Sequence, residues 1–307
     1  MSVEIAGLRL EHPVLNGSGT FDAIAARRAF GHELEDRFPF AAFVSKTITL
    51  AARDGNPPPR LFETPAGMIN SIGLPNKGLE GFIASDLPAL AELPVPLIVS
   101  VMGRSHAEFT HLVEGVAPRE EVAGLELNVS CPNVESGLIV GEVPEETLIL
   151  MRAVRALTEK PLIVKLTPNV ADPAAVARAA EQGGADAVSL INTLKATAAD
   201  PASLRPWLGA ERGGLSGPAV RAIAVEQVRS VAESVDVPVI GMGGIETGSD
   251  ALELIAAGAS AVAVGTANFR DPLAAERIRL ELAAELERAG LSGPAEIRGR
   301  MAASTSG

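Results

Sequence analysis

The 307-residue chain has one cysteine, one tryptophan, no tyrosine and four histidines. A lone Cys131 closes no internal disulfide, holds no iron–sulfur cluster by itself and offers no cysteine-rich zinc site. With aromatics at 3% there is no stacking platform of the kind single-strand binders use, so a flat ligand must be held by backbone and aliphatic contacts. Basic residues are outnumbered: 26 Lys and Arg against 38 Asp and Glu give a formal charge of −12, which repels phosphate backbones and excludes nucleic acid as a partner. The longest weakly polar stretch, Ile255 to Ala267, is too short and too rich in small residues to cross a bilayer, so no membrane insertion is expected. Met1 to Leu10, with Glu4 in a short alternating pattern, lacks the basic-then-apolar order of a secretory leader. Together with the single cysteine, this reads as a cytoplasmic protein. There is no HExxH, no cluster of His and carboxylates and no GxSxG elbow. Metal hydrolysis and serine esterase chemistry therefore lack their parts, and no metal site is expected. His12, His32, His106 and His111 read as structural or surface residues.

What is present is apolar substance, 47% of the residues, enough for one large core and an expected single domain over residues 1–307. From Val14 onward, short β-branched runs alternate with amphipathic segments rich in Ala, Glu and Arg, the pattern of βα units around a parallel sheet. Eight candidate strands follow: Val14 to Asn16, Ala41 to Lys46, Leu97 to Val101, Gly124 to Asn128, Leu162 to Leu166, Ala187 to Ile191, Val237 to Gly241 and Ala261 to Gly265. Asp172-Pro173 and Asp271-Pro272 read as helix starts, each a capping carboxylate before a proline at the first helical position. Gly183-Gly184 and Gly290 read as helix ends. Eight units in this length, without a GxGxxG after the first strand, predict an α/β fold of the TIM (β/α)8 barrel type. Val3 to Ile5 and Leu8 to Leu10 around Ala6-Gly7 read as an N-terminal hairpin at the barrel's bottom. Thr47 to Asn76 and Asn192 to Leu215 read as long loops over the C-terminal face, where barrel enzymes keep their chemistry.

Polar residues at strand C-termini are the first chemical signal: Lys46, Asn128, Lys165 and Asn192. A strand-end lysine can simply pair with a carboxylate, but four polar intrusions at one barrel face point to a site. Gly241-Met242-Gly243-Gly244-Ile245 after strand seven and Gly265-Thr266 after strand eight stand where barrels bind phosphate through backbone N–H groups, with Gly217 as a further close approach. The alternative is that they are ordinary turns. Cys131 lies in Asn128-Val129-Ser130-Cys131-Pro132-Asn133, in a loop running through Gly137 and Gly141. A lone cysteine is commonly a small buried hydrophobe; over a barrel mouth it can also serve as a base.

These residues resemble a known family, the class 1 dihydroorotate dehydrogenases, FMN-containing barrels of pyrimidine biosynthesis. The resemblance runs along nearly the whole chain and is carried by Asn16-Gly17-Ser18-Gly19-Thr20, Ser45-Lys46-Thr47, GNPPPRLFETPAGMINSIGLPN from Gly55 to Asn76, NVSCPN from Asn128 to Asn133, Lys165, Ile191-Asn192-Thr193, GMGGI and Gly265-Thr266. The Gly55 to Asn76 segment is similar to that of the B-type branch. There the catalytic subunit passes electrons to a second subunit carrying FAD and a 2Fe–2S cluster, with NAD+ as final acceptor. The resemblance implies that Cys131 is the base removing a proton from C5 of dihydroorotate while C6 delivers hydride to N5 of FMN. It implies substrate binding by Lys46, Asn70, Ser71, Ile72, Gly73, Leu74, Asn128, Asn133, Asn192 and Thr193. FMN, one per chain, would be held by Ser18, Lys46, Thr47, Ser100, Asn128, Lys165, Ile191, Gly217, Gly243, Gly244, Gly265 and Thr266. Lys165 would stand at the N1/O2 side of the flavin, where positive charge stabilises the anionic reduced ring.

One departure is Ser100, where the family commonly places an asparagine against FMN; a hydroxyl is shorter and has one donor, so a weaker or water-bridged contact is expected. Class 2 enzymes carry serine at the position of Cys131 and an extra N-terminal hydrophobic helix, and this sequence has neither. A one-cysteine chain needs an outside acceptor to reoxidise its flavin, and the resemblance implies a homodimer joined by two electron-transfer subunits in a heterotetramer. Competing expectations are a fumarate-dependent A-type enzyme, a dihydropyrimidine-type FMN oxidoreductase, a non-catalytic flavoprotein subunit and a Schiff-base aldolase using Lys165.

Overall fold

The computed structural model describes residues 1–301 apart from 32, 33, 35, 36 and 131–139. Strands β1 (Val3–Ile5) and β2 (Leu8–Leu10) pair as the expected hairpin. Its turn residues, Ala6 and Gly7, have φ of 52° and 77°, the two left-handed positions that a two-residue hairpin turn requires.

Eight strands form one sheet: β3 (Val14–Asn16), β4 (Phe43–Val44), β7 (Leu97–Val101), β8 (Val122–Asn128), β9 (Leu162–Lys165), β10 (Ala187–Leu190), β13 (Val239–Met242) and β14 (Ala261–Val264). All ladders between them are parallel, in the spatial order β3-β14-β13-β10-β9-β8-β7-β4. The ends meet through Asn16, whose Nδ2 donates to Val44 O and whose Oδ1 accepts from Val44 N, both at 2.8 Å. Ala41 N adds a bond to Val14 O at 2.9 Å, and the sheet closes into the expected (β/α)8 barrel. Because a side chain replaces part of the ladder at this seam, β4 is two residues long rather than the six from Ala41 to Lys46. The seventh strand starts at Val239, not Val237, since Pro238 has no N–H to give.

Helices return outside the sheet: α1 (Ala23–Phe30), α2 (Gly78–Gly81), α3 (Leu87–Leu90), α4 (His106–Val116), α5 (Pro144–Arg155), α6 (Pro173–Gln182), α7 (Arg221–Ala232), α8 (Gly248–Ala257), α9 (Ala267–Arg270) and α10 (Ala274–Arg288). In α5, Thr147, Leu150, Met151 and Val154 are buried at helical spacing, with Glu145 and Glu146 in the first turn and Arg152 and Arg155 in the last, as the helix dipole favours. Asp172 caps α6 as expected, accepting from Ala175 N at 3.0 Å. Asp271 does not cap a helix; its carboxylate accepts from Leu273 N, and α10 begins only at Ala274.

The sequence pattern read two long loops; the structure places strands in both. β5 (Leu61–Thr64), β6 (Gly67–Asn70), β11 (Leu194–Ala196) and β12 (Gly213–Ser216) form an antiparallel sheet ordered β11-β12-β6-β5. The pairing of β6 with β12 joins segments far apart in sequence, in short, half-buried and Gly-containing runs that carry little local strand signal.

Inside the barrel, Leu15, Val44, Ile98, Ile163, Ala187, Ile240 and Ala261 pack on Ile5 and Leu10 of the hairpin as an apolar floor. Toward the C-terminal ends the buried residues turn polar: Ser100, Glu126, Ser189, Asn128 and Lys165. A larger apolar cluster lies between the sheet and the helices.

Candidate active site

A cavity of about 340 Å³ opens at the C-terminal ends of the barrel strands, bordered by Met68 and Asn70 of β6 and Leu215 and Ser216 of β12. Its volume suits a small-molecule or cofactor site. Ser18, Lys46, Thr47, Asn70, Ile72, Leu74, Asn128, Lys165, Ile191, Asn192, Thr193, Gly217, Gly243, Gly244, Gly265 and Thr266 all line it. Three expected residues do not. Ser71 accepts from Asn56 Nδ2 at 2.9 Å, and a Cβ on Gly73 would stand 2.4 Å from Asn56 N, so both hold the Gly55 to Asn76 segment together rather than face the cavity. Ser100 is fully buried beneath it, its hydroxyl engaged by Thr47 Oγ1 at 2.9 Å and Glu126 Oε1 at 3.1 Å. Cys131 and Asn133 lie outside the described residues.

The polar side chains are tied to one another. Lys165 Nζ donates to Ser18 Oγ at 3.0 Å. Asn192 Nδ2 donates to Ser130 Oγ at 3.0 Å, its Oδ1 accepts from Thr193 N at 2.9 Å, and Asn128 Oδ1 accepts from Ser130 N at 3.3 Å. Asn70 Nδ2 reaches Gly214 O at 3.2 Å, fastening β6 to β12. Lys46 is exposed at the cavity, and partial desolvation of its amine by the surrounding protein lowers its pKa below the ordinary lysine value while the Asp22 carboxylate works in the opposite direction. The arrangement can grip a planar polar ligand through amides and two lysines, with backbone N–H groups of the glycine turns beside it.

Sequence reasoning missed Ser216, which lines the cavity and accepts from Thr266 Oγ1 at 2.8 Å; its place directly before Gly217 was the available signal. It also missed Asn169, whose Nδ2 holds Thr193 O at 3.0 Å. Among the described residues, no group of three or more His, Cys, Asp or Glu side chains could hold a metal ion.

Fold and site define a (β/α)8 barrel with a bordered ligand cavity at its C-terminal face, the place where barrels carry out catalysis. The family model described as dihydroorotate dehydrogenase matches residues 1–286. The chain is 45% identical over 305 residues to the dihydroorotate dehydrogenase B (NAD(+)) catalytic subunit of Geotalea uraniireducens, covering 98% of each. It is 48% identical over 302 residues to the protein of the same name from Desulforudis audaxviator, covering 97% of this chain and 96% of that one. A crystal structure of DHODH from Eimeria tenella in complex with ferulenol is similar at a TM-score of 0.79 and 27% identity, over 98% of this chain and 88% of that one. The chain belongs to the dihydroorotate dehydrogenase family.

Proposed function

We propose that this chain is the catalytic subunit of an NAD+-linked dihydroorotate dehydrogenase, oxidising (S)-dihydroorotate to orotate on the route to UMP. The observation that carries the reading is the gathering of Asn70, Asn128, Asn192, Thr193, Lys46 and Lys165 around one cavity, within a chain 45% identical to a B-type catalytic subunit.

The residues fit FMN. Gly265 lines the cavity with φ outside the left-handed region, and a Cβ built on it would meet only Thr20 Cγ2, at 3.6 Å. Protein packing does not require glycine there; a bare backbone amide open to a phosphate oxygen does. In this reading Ser18, Thr47, Lys165, Ile191, Gly217, Gly243, Gly244, Gly265 and Thr266 hold the cofactor, and Lys46 and Asn128 touch both cofactor and substrate. When bound, FMN supplies the acceptor for the hydride leaving C6 of dihydroorotate.

The chain's own residues do the rest. The amides of Asn70, Asn128 and Asn192 and the Thr193 hydroxyl offer donors and acceptors to the substrate's carboxylate and ring amides. The strands of the second sheet that border the cavity limit water beside the reacting carbons. Cys131, directly after Ser130 in sequence, takes the proton from C5. In this reading a partner subunit with FAD and a 2Fe–2S cluster, in a heterotetramer built on a homodimer, would supply the outlet for the electrons. We place the chain in the cytoplasm as one FMN-binding barrel domain; among the described residues, no helix is long and apolar enough to cross a membrane.

The test is anaerobic. The purified chain is mixed with dihydroorotate, its visible spectrum recorded, and NAD+ and fumarate then offered separately. Bleaching that neither acceptor reverses supports the B-type reading; recovery with fumarate moves the protein to the A-type branch. A flavin that dihydroorotate leaves unbleached sinks the reading, and borohydride trapping of a substrate on Lys165 would put an aldolase in its place. Cys131→Ala should nearly abolish bleaching, and Cys131→Ser should retain a slower reaction favoured at higher pH, because a hydroxyl is the poorer base.

A further inference from the structure

Glu126 is a buried acid that the proposed reaction does not use. It lies on β8 two residues before Asn128, 3% exposed, and does not line the cavity. Glu126 and Ser100 are cross-strand partners in the ladder of β7 and β8, which turns both side chains to the same barrel interior. Both carboxylate oxygens are engaged: Oε1 accepts from Ser100 Oγ and Oε2 from Ser189 Oγ, each at 3.1 Å. Ser100 is held in place from behind, its backbone N–H donating to Ser45 Oγ at 3.0 Å.

The direction of each hydrogen bond in this relay sets what the cavity wall offers a ligand. A serine hydroxyl has one proton, and Ser100 gives it to Glu126. The 2.9 Å contact between Thr47 Oγ1 and Ser100 Oγ must then be donated by Thr47. Thr47 lines the cavity, and with its only proton committed downward its hydroxyl has lone pairs alone to offer a ligand. We propose that Glu126, acting through Ser100, fixes Thr47 as a hydrogen-bond acceptor in the cavity, so that this point of the wall selects a ligand N–H. Glu126 is thus a positioning residue. Without its carboxylate, the Ser100 proton is free to turn to Thr47, and the Thr47 proton turns into the cavity, where it opposes an N–H.

The ligand chemistry is an imide-type ring N–H next to carbonyls. This inference rests on the function proposed above, in which two molecules carry such a group: the pyrimidine edge of FMN and the orotate ring. The experiment separates them in two arms, FMN binding to the apoprotein by quenching of flavin fluorescence and orotate binding to the FMN-loaded protein by perturbation of the flavin spectrum.

The variants are Thr47→Val, Glu126→Leu, the pair combined, Ser100→Ala and Glu126→Gln. In the arm whose ligand meets Thr47, Thr47→Val and Glu126→Leu should each weaken binding about tenfold, the scale of one hydrogen bond. The double variant should be no weaker than Glu126→Leu alone, because the two changes remove one interaction. Glu126→Gln, whose carbonyl still accepts from Ser100, should stay within about threefold of wild type. Ser100→Ala cuts the relay with a smaller change than Glu126→Leu and decides the matter if the latter does not fold. Losses that multiply in the double variant, or wild-type binding of both ligands by Ser100→Ala and Glu126→Leu, would overturn the inference. A wild-type chain that binds neither FMN nor orotate defeats the proposed function itself, and this inference with it.

Discussion

Lys165 Nζ and Ser18 Oγ lie 3.0 Å apart although 147 residues separate them, joining the end of β9 to the loop after β3 across the cavity. The bond fixes where the lysine's remaining donors point. Ser18→Ala should therefore weaken FMN binding about tenfold by loosening Lys165, and Lys165→Met, which removes the amine, by up to about a hundredfold. Fluorescence titration of the apoproteins measures both. Equal affinity in Lys165→Met and wild type would remove this lysine from the cofactor's wall.

Two glycines of the cavity separate a folding requirement from a binding one. Gly244 has φ of 77°, and a Cβ there would stand 2.6 Å from Arg221 Cβ, so Gly244→Ala should lower stability by about 1–3 kcal/mol or more through strain and overpacking. Gly265 has neither constraint. Gly265→Ala should melt within a degree or two of wild type as apoprotein, by the usual scale of unstrained substitutions, and yet bind FMN at least tenfold more weakly. A Gly265→Ala protein that melts early and binds FMN normally would reverse this assignment.

The barrel was legible because its strands are short β-branched runs whose ends coincide with changes in composition. Val14 to Asn16 and Leu97 to Val101 match β3 and β7 residue for residue. The second sheet was not legible, since β6 and β12 find each other only once the barrel brings Asn70 opposite Gly214. In the site, Lys46, Asn128, Lys165 and Asn192 stood out from the residues alone, as polar groups at strand ends. The lining residues Ser18, Thr47 and Ile191 came from motif resemblance. Ser100 shows the limit of that carry-over: a motif position passed on as a cofactor contact, while the shorter side chain here turns to Thr47 and Glu126. Glu126 carries no signal of its own in the sequence, because its meaning depends on partners from β7 and β10.

His12, just before β3, makes the stability depend on pH. Its pKa is lowered to about 4, first by burial, then by Arg279 and the N-terminal amine, and its Nδ1 accepts from Val14 N at 3.3 Å. The ring is therefore neutral in the folded chain where the unfolded chain is already protonating. Between about pH 6.5 and 4 the unfolded state binds more protons, so stability rises with pH across this window and is lost as pH falls through it. His12→Asn, which retains an acceptor but does not titrate, should flatten the dependence of the thermal midpoint on pH in that window. An unchanged slope would assign the acid sensitivity to other groups.

Asn16 holds the barrel shut with a side chain where a ladder would otherwise run, since Val44 gives both its N–H and its C=O to one amide. Asn16→Leu keeps the volume and strands both backbone groups in a fully buried place. At about 1–3 kcal/mol for each unsatisfied group, it should cost about 2–6 kcal/mol, readable as a lower urea midpoint. Asn16→Asp still accepts from Val44 N but sets a carboxylate oxygen against Val44 O, so it should also destabilise the fold. Asn16 Nδ2 contacts Gly17 O at 3.1 Å as well, and Gly17 and Ser18 line the cavity, so the seam and the site share one anchor. FMN affinity should fall along with stability in Asn16→Leu, whereas a variant in the outer helices with equal loss of stability should keep it. Wild-type affinity in a destabilised Asn16→Leu protein would show that the seam carries the fold without positioning Ser18.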